Sequence, residues 1–502
     1  MFDAFIGGLF LVLQGKSFLF LLIGVAIGFW VGILPGLGGG ATLALMMPFI
    51  YNMTPQEAFP FLLGMHSVVA TTGDITSVLF GIPGEPTTLA TIVDGYPMTK
   101  KGEAGRALGA VLMSSLVGAV FGALFLAVSI PVVRPLVLAL GSPEMFMVTV
   151  LGLTCIATLS SQGKGGLFKG LLIGGFGFLC SMIGQDSQAG ILRFTFGSLY
   201  LWDGLSVIPV MIGLFAIPEI VDLAVRGTGI AGDVAFGKLG KGVKEGVIDT
   251  FRHFWLTIRC SAIGAVIGII PGVGGGVSQW MSYAHATQSA KTLEERDGFG
   301  KGDVRGVLGP GASNNSKEGA NLIPTIAFGV PASVGMAILL GAFLVLGIVP
   351  GPDMLTKHLT LTYSMVWTIV IANLITVPIC LLFIDQLAKL TTIRGNLIIP
   401  FILLLCFIGA YSSNNSIGDL IVVLIFGGIG CFLMRFRWPR PPFILGFILG
   451  SLAEGYLFTS TLRYGANWLY RPKVIIIFLI IVAFAMHPYI QKKRLMKQGG
   501  GK

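Results

Sequence analysis

The chain has 502 residues, of which 54% are hydrophobic and 11% charged, with 72 glycines, a formal net charge of +10 and a mean hydropathy of +0.86. A soluble domain carries about 25% charged residues, so these proportions exclude a water-soluble globular enzyme. The basic balance does not point to nucleic acid either. Lys492, Lys493, Arg494, Lys497 and Lys502 cluster at the C-terminus and Arg435, Arg437 and Arg440 in one short loop, the pattern of cytoplasmic segments in a membrane protein.

In chain order, the opening MFDAFIGGLFLVLQGK lacks a basic leader and a small-residue cleavage site and is expected to be retained. Apolar runs that cross a bilayer alone or with their neighbours follow at 18–35, 107–133, 146–159, 165–183 and 205–224. A Gly/Lys-rich stretch, GKLGKGVKEG at 237–246, marks a charged, flexible linker over 226–252, expected in the cytoplasm. The runs resume at 254–271, 361–384, 397–411, 420–433 and 474–486. The sequence thus predicts an all-α polytopic membrane protein of about 11–13 transmembrane helices, some of them re-entrant or broken. Its expected divisions are a first repeat over 1–225, the linker, a second repeat over 253–470, and a last transmembrane helix with a basic cytoplasmic tail over 471–502. Six cysteines stand singly in apolar runs without metal or redox spacing and read as small core residues.

The two repeats are visible as recurring phrases. GILPGLGGG at 32–40 returns as GIIPGVGGG at 268–276, and LFGIPGEP at 79–86 as AFGVPASV at 327–334. The stretch 153–184 returns as 405–436, and GSLYLWDG at 197–204 as GSLAEGYL at 450–457. Order is conserved and the offset drifts smoothly, which indicates a duplication of about 250 residues. Loop charges indicate opposite orientations of the halves. Lys164 and Lys169 flank the first Ser-Ser loop, but SSNNSIGD at 412–419 has no basic residue. Arg435, Arg437 and Arg440 follow the second copy of a stretch whose first copy leads to IGQDSQ, which has none. Lys100, Lys101 and Arg106 follow the first GIPGEP segment, while its counterpart GIVPGPDM is bare. Basic loops mark the cytoplasm, so the repeats are expected to be inverted. An extra crossing near 443–456 would reconcile this with a basic C-terminus inside, since the counterpart around Arg193 is less apolar.

Pro and Gly within a membrane helix free backbone N–H and C=O groups, tolerated where protein or a wet cavity satisfies them. In inverted-repeat transporters such breaks aim half-helix N-termini at anionic substrates, and an N-terminus supplies partial positive charge and open N–H donors. The expected substrate-binding residues are therefore Gly36, Gly38, Gly39, Gly40 and Thr42 in the first cassette and Gly272, Gly274, Gly275, Gly276 and Ser278 in the second. Close packing of helices through glycine is the alternative. Asn314 and Asn315 join them as polar insertions in apolar context, and Ser160, Ser161 and the 412–415 group either cap helices or line a cavity. Intramembrane acids are costly and mark ion or substrate pathways, so Thr71, Thr72, Asp74 and Glu318 are the expected coupling-ion residues, holding Na+ or a proton. Lys317 beside Glu318 offers an internal ion pair instead, and His66, His253, His285, His358 and His487 lack ligand spacing and read as packing.

No Walker A loop and no H-E-x-x-H occurs, so energy is expected from an ion gradient or from a separate ATPase subunit. A membrane-embedded enzyme or scaffold is disfavoured because no nucleophile–base or metal cluster is evident. The two G-x-x-P-G-[LV]-G-G-G cassettes, GIPGEPTTLATIVDGYP at 81–97 and PGASNNSKEGANLIPTIAFGVP at 310–331 resemble the large membrane (permease) subunit of the bacterial tripartite tricarboxylate transporters. The resemblance spans essentially the whole chain. It implies secondary uptake of organic anions such as citrate across the cytoplasmic membrane, coupled to Na+ or H+, without a cofactor. It also implies two partners, a small four-helix membrane subunit and a periplasmic solute-binding protein, besides membrane lipid.

Overall fold

The computed structural model describes residues 1–33, 38–85, 87–159, 166–186, 188, 190–226, 240, 242–271, 274–390, 399–483 and 486. Gly36 and Gly272, the first Ser-Ser loop, most of the expected linker and the basic tail lie outside them. The first half runs α1 (Phe2–Leu13), α2 (Gly15–Ile33), α3 (Gly39–Met46), α4 (Pro55–Phe80), α5 (Leu89–Lys100), α6 (Ala104–Leu138), α7 (Ser142–Leu159) and α8 (Gly166–Ser181). A two-stranded antiparallel hairpin, β1 (Gly184–Gln185) with β2 (Leu192–Arg193), precedes α9 (Val207–Met211), a π-helical turn and α10 (Ile217–Arg226). The second half runs α11 (Val243–Arg252), α12 (Phe254–Gly268), α13 (Gly274–Gln288), α14 (Leu293–Asp297), α15 (Arg305–Phe328), α16 (Val334–Val345) and α17 (Leu359–Leu382). It closes with α18 (Ile384–Leu390), α19 (Ile399–Asn414), α20 (Ile417–Arg435), α21 (Pro441–Tyr464) and a last apolar helix over Pro472–Ala483.

The protein is an all-α polytopic membrane protein, its described strands confined to that one hairpin. Among the described residues five helices are long and apolar enough to cross a membrane, α2, α6, α17, α20 and α21 with the turn that follows it, and seven shorter apolar helices accompany them. The helices at the centre are not among the five. In α4 every residue from Ala58 to Leu79 is buried, and in α15 every residue from Gly306 to Ala327, although both carry Thr, Ser and charged side chains and α15 three Asn as well. A helix that is polar yet buried all round is enclosed by other protein elements rather than by lipid.

Corresponding pieces of the halves build corresponding geometry. α2 lies along α4, with Gly24 and Gly28 against the carbonyls of Phe61 and Met65, and α12 lies along α15, with Gly264 against that of Ser313. α4 ends at Gly81 (φ 66°, ψ 21°) and α15 at Gly329 (φ 66°, ψ 19°), both left-handed. Any other L residue there costs about 1 kcal/mol, and the proline two positions on, Pro83 or Pro331, keeps the helix from resuming. The halves also interlock. α3 packs on α16, α13 on α5, α6 on α15 and α17 on α4, so the helix after each glycine cassette meets the helix after the other half's left-handed turn.

Residues 443–456 lie within α21, whereas their counterpart around Arg193 is the hairpin. Arg193 Nη1 and Nη2 donate to Glu454 Oε1 and Oε2 at 2.6 and 3.0 Å, which ties the two together. Residues 243–252 of the expected linker form α11 rather than free chain. It packs along α6, and Arg106 Nε donates to Asp249 Oδ2 at 2.7 Å.

One end of the assembly is held by hydrogen bonds between the halves. The buried Asp94 of α5 accepts from the Gly302 and Asp303 amides at 2.7 and 3.0 Å and from the Tyr283 hydroxyl of α13 at 2.9 Å. Truncation to alanine orphans all three donors. Asp94→Ala is therefore expected to destabilise the purified protein by about 3 kcal/mol, seen as a lower thermal midpoint in detergent. An unchanged midpoint would show that the contact is dispensable.

Candidate functional site

The cassette helix α3 packs beside α4 and α13 beside α15, and the side chains between their first turns form a ring of polar groups, all buried except the half-buried Thr87. The Gly39 N–H, an unpaired donor of the first turn of α3, donates to Glu85 Oε1 at 2.8 Å. Thr87 Oγ1 stands 3.3 Å from Glu85 Oε2 and 3.4 Å from Asn314 Oδ1, with one hydrogen to give to either. A Cβ on Gly275, at the start of α13, would meet the tip of Lys317 and come 2.8 Å from the Thr87 methyl. Lys317 Nζ donates to Glu318 Oε1 at 2.8 Å, and Glu318 Oε2 pairs with His66 Nε2 at 3.0 Å. His66 closes the ring, because a Cβ on Gly39 would fall 2.7 Å from His66 Nδ1 and 2.8 Å from Glu85 Oε1. Glu85, His66, Lys317 and Glu318 are each at most 7% exposed.

Of the residues expected from sequence, the ring brings together Gly39, Gly275, Asn314 and Glu318. Asn314 Nδ2 also donates to the Ala70 carbonyl at 3.0 Å. Asp74 lies alongside Asn314, fully buried; its Oδ1 accepts from Thr91 Oγ1 at 3.0 Å and its Oδ2 has no partner among the described residues. Thr71 and Asn315 belong to a neighbouring network that joins three helices. Asn315 Nδ2 donates to Thr71 Oγ1 and Asn373 Oδ1 at 2.6 and 3.0 Å, Thr71 Oγ1 donates to Asn373 Oδ1 at 2.6 Å, and Asn373 Nδ2 donates to Ser67 Oγ at 2.5 Å.

Other expected residues point elsewhere. Thr72 Oγ1 bonds back to the Val68 carbonyl at 2.9 Å, Thr42 Oγ1 to Gly38 at 3.1 Å and Ser278 Oγ to Gly275 at 2.8 Å, so each hydroxyl is spent on its own helix or cap. Gly38 is the N-cap of α3, and Gly274 opens α13. Gly40 faces Val334 of α16. Gly276 has nothing within 4 Å of an added Cβ and shares its helix face with Trp280, which is exposed. Gly276→Ala is therefore expected to leave citrate uptake within about twofold of wild type; a loss comparable to that from substituting Gly275 would contradict this placement.

Four of the ring residues were not anticipated as site residues: His66, Glu85, Thr87 and, in more than a bland pair, Lys317. A further feature is Gln279, fully buried with neither amide atom partnered among the described residues. It lies one turn after Gly275 on the same face of α13. The arrangement suits an anion. An ammonium, an imidazole and the starts of α3 and α13 meet where the acids Glu85 and Glu318 now balance the charge, with the uncommitted Gln279 amide one turn further along α13. A separate cavity of about 650 Å³ behind α3, walled by side chains such as Phe20, Trp30, Leu45 and Ile402, is almost wholly apolar and offers a carboxylate nothing to bind.

The model of the tripartite tricarboxylate transporter TctA family matches residues 18–445, which include both cassettes and every residue of the ring. The chain belongs to that family. An uncharacterized 52.8 kDa protein in the TAR-I ttuC' 3' region of Agrobacterium vitis is 31% identical over 447 residues, covering 87% of this chain and 85% of its own length. An uncharacterized protein in the TAR-II ttuC' 3' region of the same organism is 34% identical over 194 residues, 39% of this chain and 79% of its own. No solved structure matches. As a TctA-family protein, the chain is a membrane subunit of a tripartite tricarboxylate transporter, a multi-pass permease that depends on partner components.

Proposed function

We propose that this TctA-family subunit carries out secondary active uptake of di- and tricarboxylates such as citrate across the bacterial cytoplasmic membrane, driven by a Na+ or H+ gradient. The substrate arrives on a periplasmic solute-binding protein, and a small four-helix membrane subunit completes the complex. The two halves act as inverted repeats, so α3 and α13 present their N-termini to one central site from opposite membrane faces. The observation that carries this reading is the buried ring in which Gly39, Glu85, Thr87, Lys317, Glu318 and His66 join the two cassettes. Burying charges in a membrane protein is costly and is retained where a charged solute passes.

Within that site the substrate's carboxylates take the places that the protein's own acids now fill. One binds the Gly39 N–H in exchange for Glu85, and another lies against Lys317, Gln279 and the first turn of α13. Glu318 already neutralises Lys317, so the acid free to take a coupling cation is Asp74, whose Oδ2 has no partner among the described residues. The test is equilibrium binding to the purified membrane complex. Citrate and succinate are expected to bind saturably and a neutral polyol not at all, and Gln279→Leu is expected to weaken citrate binding about tenfold, the loss of one buried hydrogen bond. Absence of carboxylate binding would overturn the reading.

A further inference from the structure

We propose that His66 is the proton-binding residue of the transport cycle, taking up one proton at Nδ1 each time a substrate carboxylate binds at the N-terminus of α3. This rests on the carboxylate site proposed above and adds to it the identity of a coupling ion and of its carrier.

The tautomer follows from the partners. Glu318 Oε2, 3.0 Å from His66 Nε2, belongs to a carboxylate whose other oxygen accepts from Lys317. A carboxylate only accepts, so Nε2 carries a hydrogen, and a neutral ring must then present its lone pair at Nδ1. That atom is buried and has no partner among the described residues. It is also aimed at the start of α3, since a Cβ on Gly39 would stand 2.7 Å from it. The second group at the same spot is the Glu85 carboxylate, which holds the Gly39 N–H. An internal acid thus sits where the anion would bind, beside a nitrogen that in the neutral ring has nothing to donate.

The charged groups that face His66 are Glu318 and Lys317 from α15 and Glu85 from the turn after α4, together with the positive end of α3; α16 contributes only the backbone of Gly335. A substrate carboxylate that takes the Gly39 N–H adds a negative charge to a site where Glu85 remains close by, and its oxygen meets the Nδ1 lone pair, so that two acceptors repel. A proton from water placed on Nδ1 converts that contact into a charge-assisted hydrogen bond. His66 becomes an imidazolium between Glu318 and the substrate. When the substrate leaves on the cytoplasmic side the added negative charge goes with it, Glu85 alone remains at Gly39, and the proton goes to water. One proton therefore moves inward with each anion, and binding and protonation favour each other by linkage.

The experiment is calorimetric titration of citrate into the purified membrane complex at about pH 8, where citrate and free imidazole are both deprotonated, in buffers of different ionisation enthalpy. The wild-type protein is expected to take up about one proton per citrate bound. His66→Gln, and independently His66→Asn, are expected to bind citrate about tenfold more weakly and without proton uptake. Proton uptake of zero in the wild type overturns the proposal, and so does uptake that persists in either variant. If the wild type binds neither citrate nor succinate, the carboxylate reading itself fails, and this inference with it.

Discussion

Replacing Glu318 by Gln is expected to abolish uptake and to destabilise the protein. Lys317 and His66 both direct a hydrogen at this one carboxylate, and all three groups are buried. Neutralising it takes from the buried ammonium its hydrogen-bonded counter-charge and leaves Glu85, which makes no hydrogen bond to it, at a cost of about 3–5 kcal/mol. The measurable results are a lower thermal midpoint in detergent and a loss of citrate uptake of about two orders of magnitude or more. The double substitution Lys317→Met with Glu318→Gln separates structure from function. Removing both charges of a buried pair restores most of the stability, but the site then lacks the ammonium that attracts the anion, so uptake stays at background. Recovery of uptake along with stability would make the pair structural only.

The second large effect concerns the glycines at which the two cassette helices meet the ring. A valine at Gly39 would push into His66 Nδ1 and Glu85 Oε1, and one at Gly275 into the tip of Lys317 and the Thr87 methyl. In both cases the obstructing atoms are ends of side chains, not backbone, so the fold gives way locally while the site does not survive. Gly39→Val and Gly275→Val are each expected to reach the membrane at normal levels, judged by immunoblot of membrane fractions, and to transport citrate at background rates. Normal uptake in both variants would rule out a site built on the cassette backbones. The comparison with Gly276→Ala matters here, because that position lies in the same glycine run but faces away from the ring.

What could be read from the sequence was what local chemistry encodes. The cassettes, the paired turns at Gly81 and Gly329 and the polar insertions on α4 and α15 are each visible within a few residues. The membrane class follows from composition alone. The ring was harder because its members are remote in sequence, His66 and Glu318 being 252 positions apart and Gly39 and Glu85 46. His66 sits in LLGMHSVV, where no spacing suggests a ligand. Glu85 sits in GEP, which reads as a turn. A signal did exist: the rule that singled out Asp74 and Glu318, that ionisable residues in apolar context are functional by default, applies equally to His66 and Glu85. Hydroxyls misled in the other direction. Thr42, Thr72 and Ser278 occupy suggestive positions but bond back to the preceding turn, an option that Ser and Thr always have in a helix.

The central claim is that this subunit, with its partners, moves carboxylates on an ion gradient through the ring between α3 and α13. The most direct measurement is uptake of labelled citrate into liposomes that contain the complete three-component transporter, with Na+ and H+ gradients imposed separately and no ATP present. The account predicts accumulation driven by an inward proton gradient, abolished by a protonophore and absent with Glu318→Gln. Uptake that needs ATP, or no gradient-driven flux of citrate or any other carboxylate tested, would contradict it.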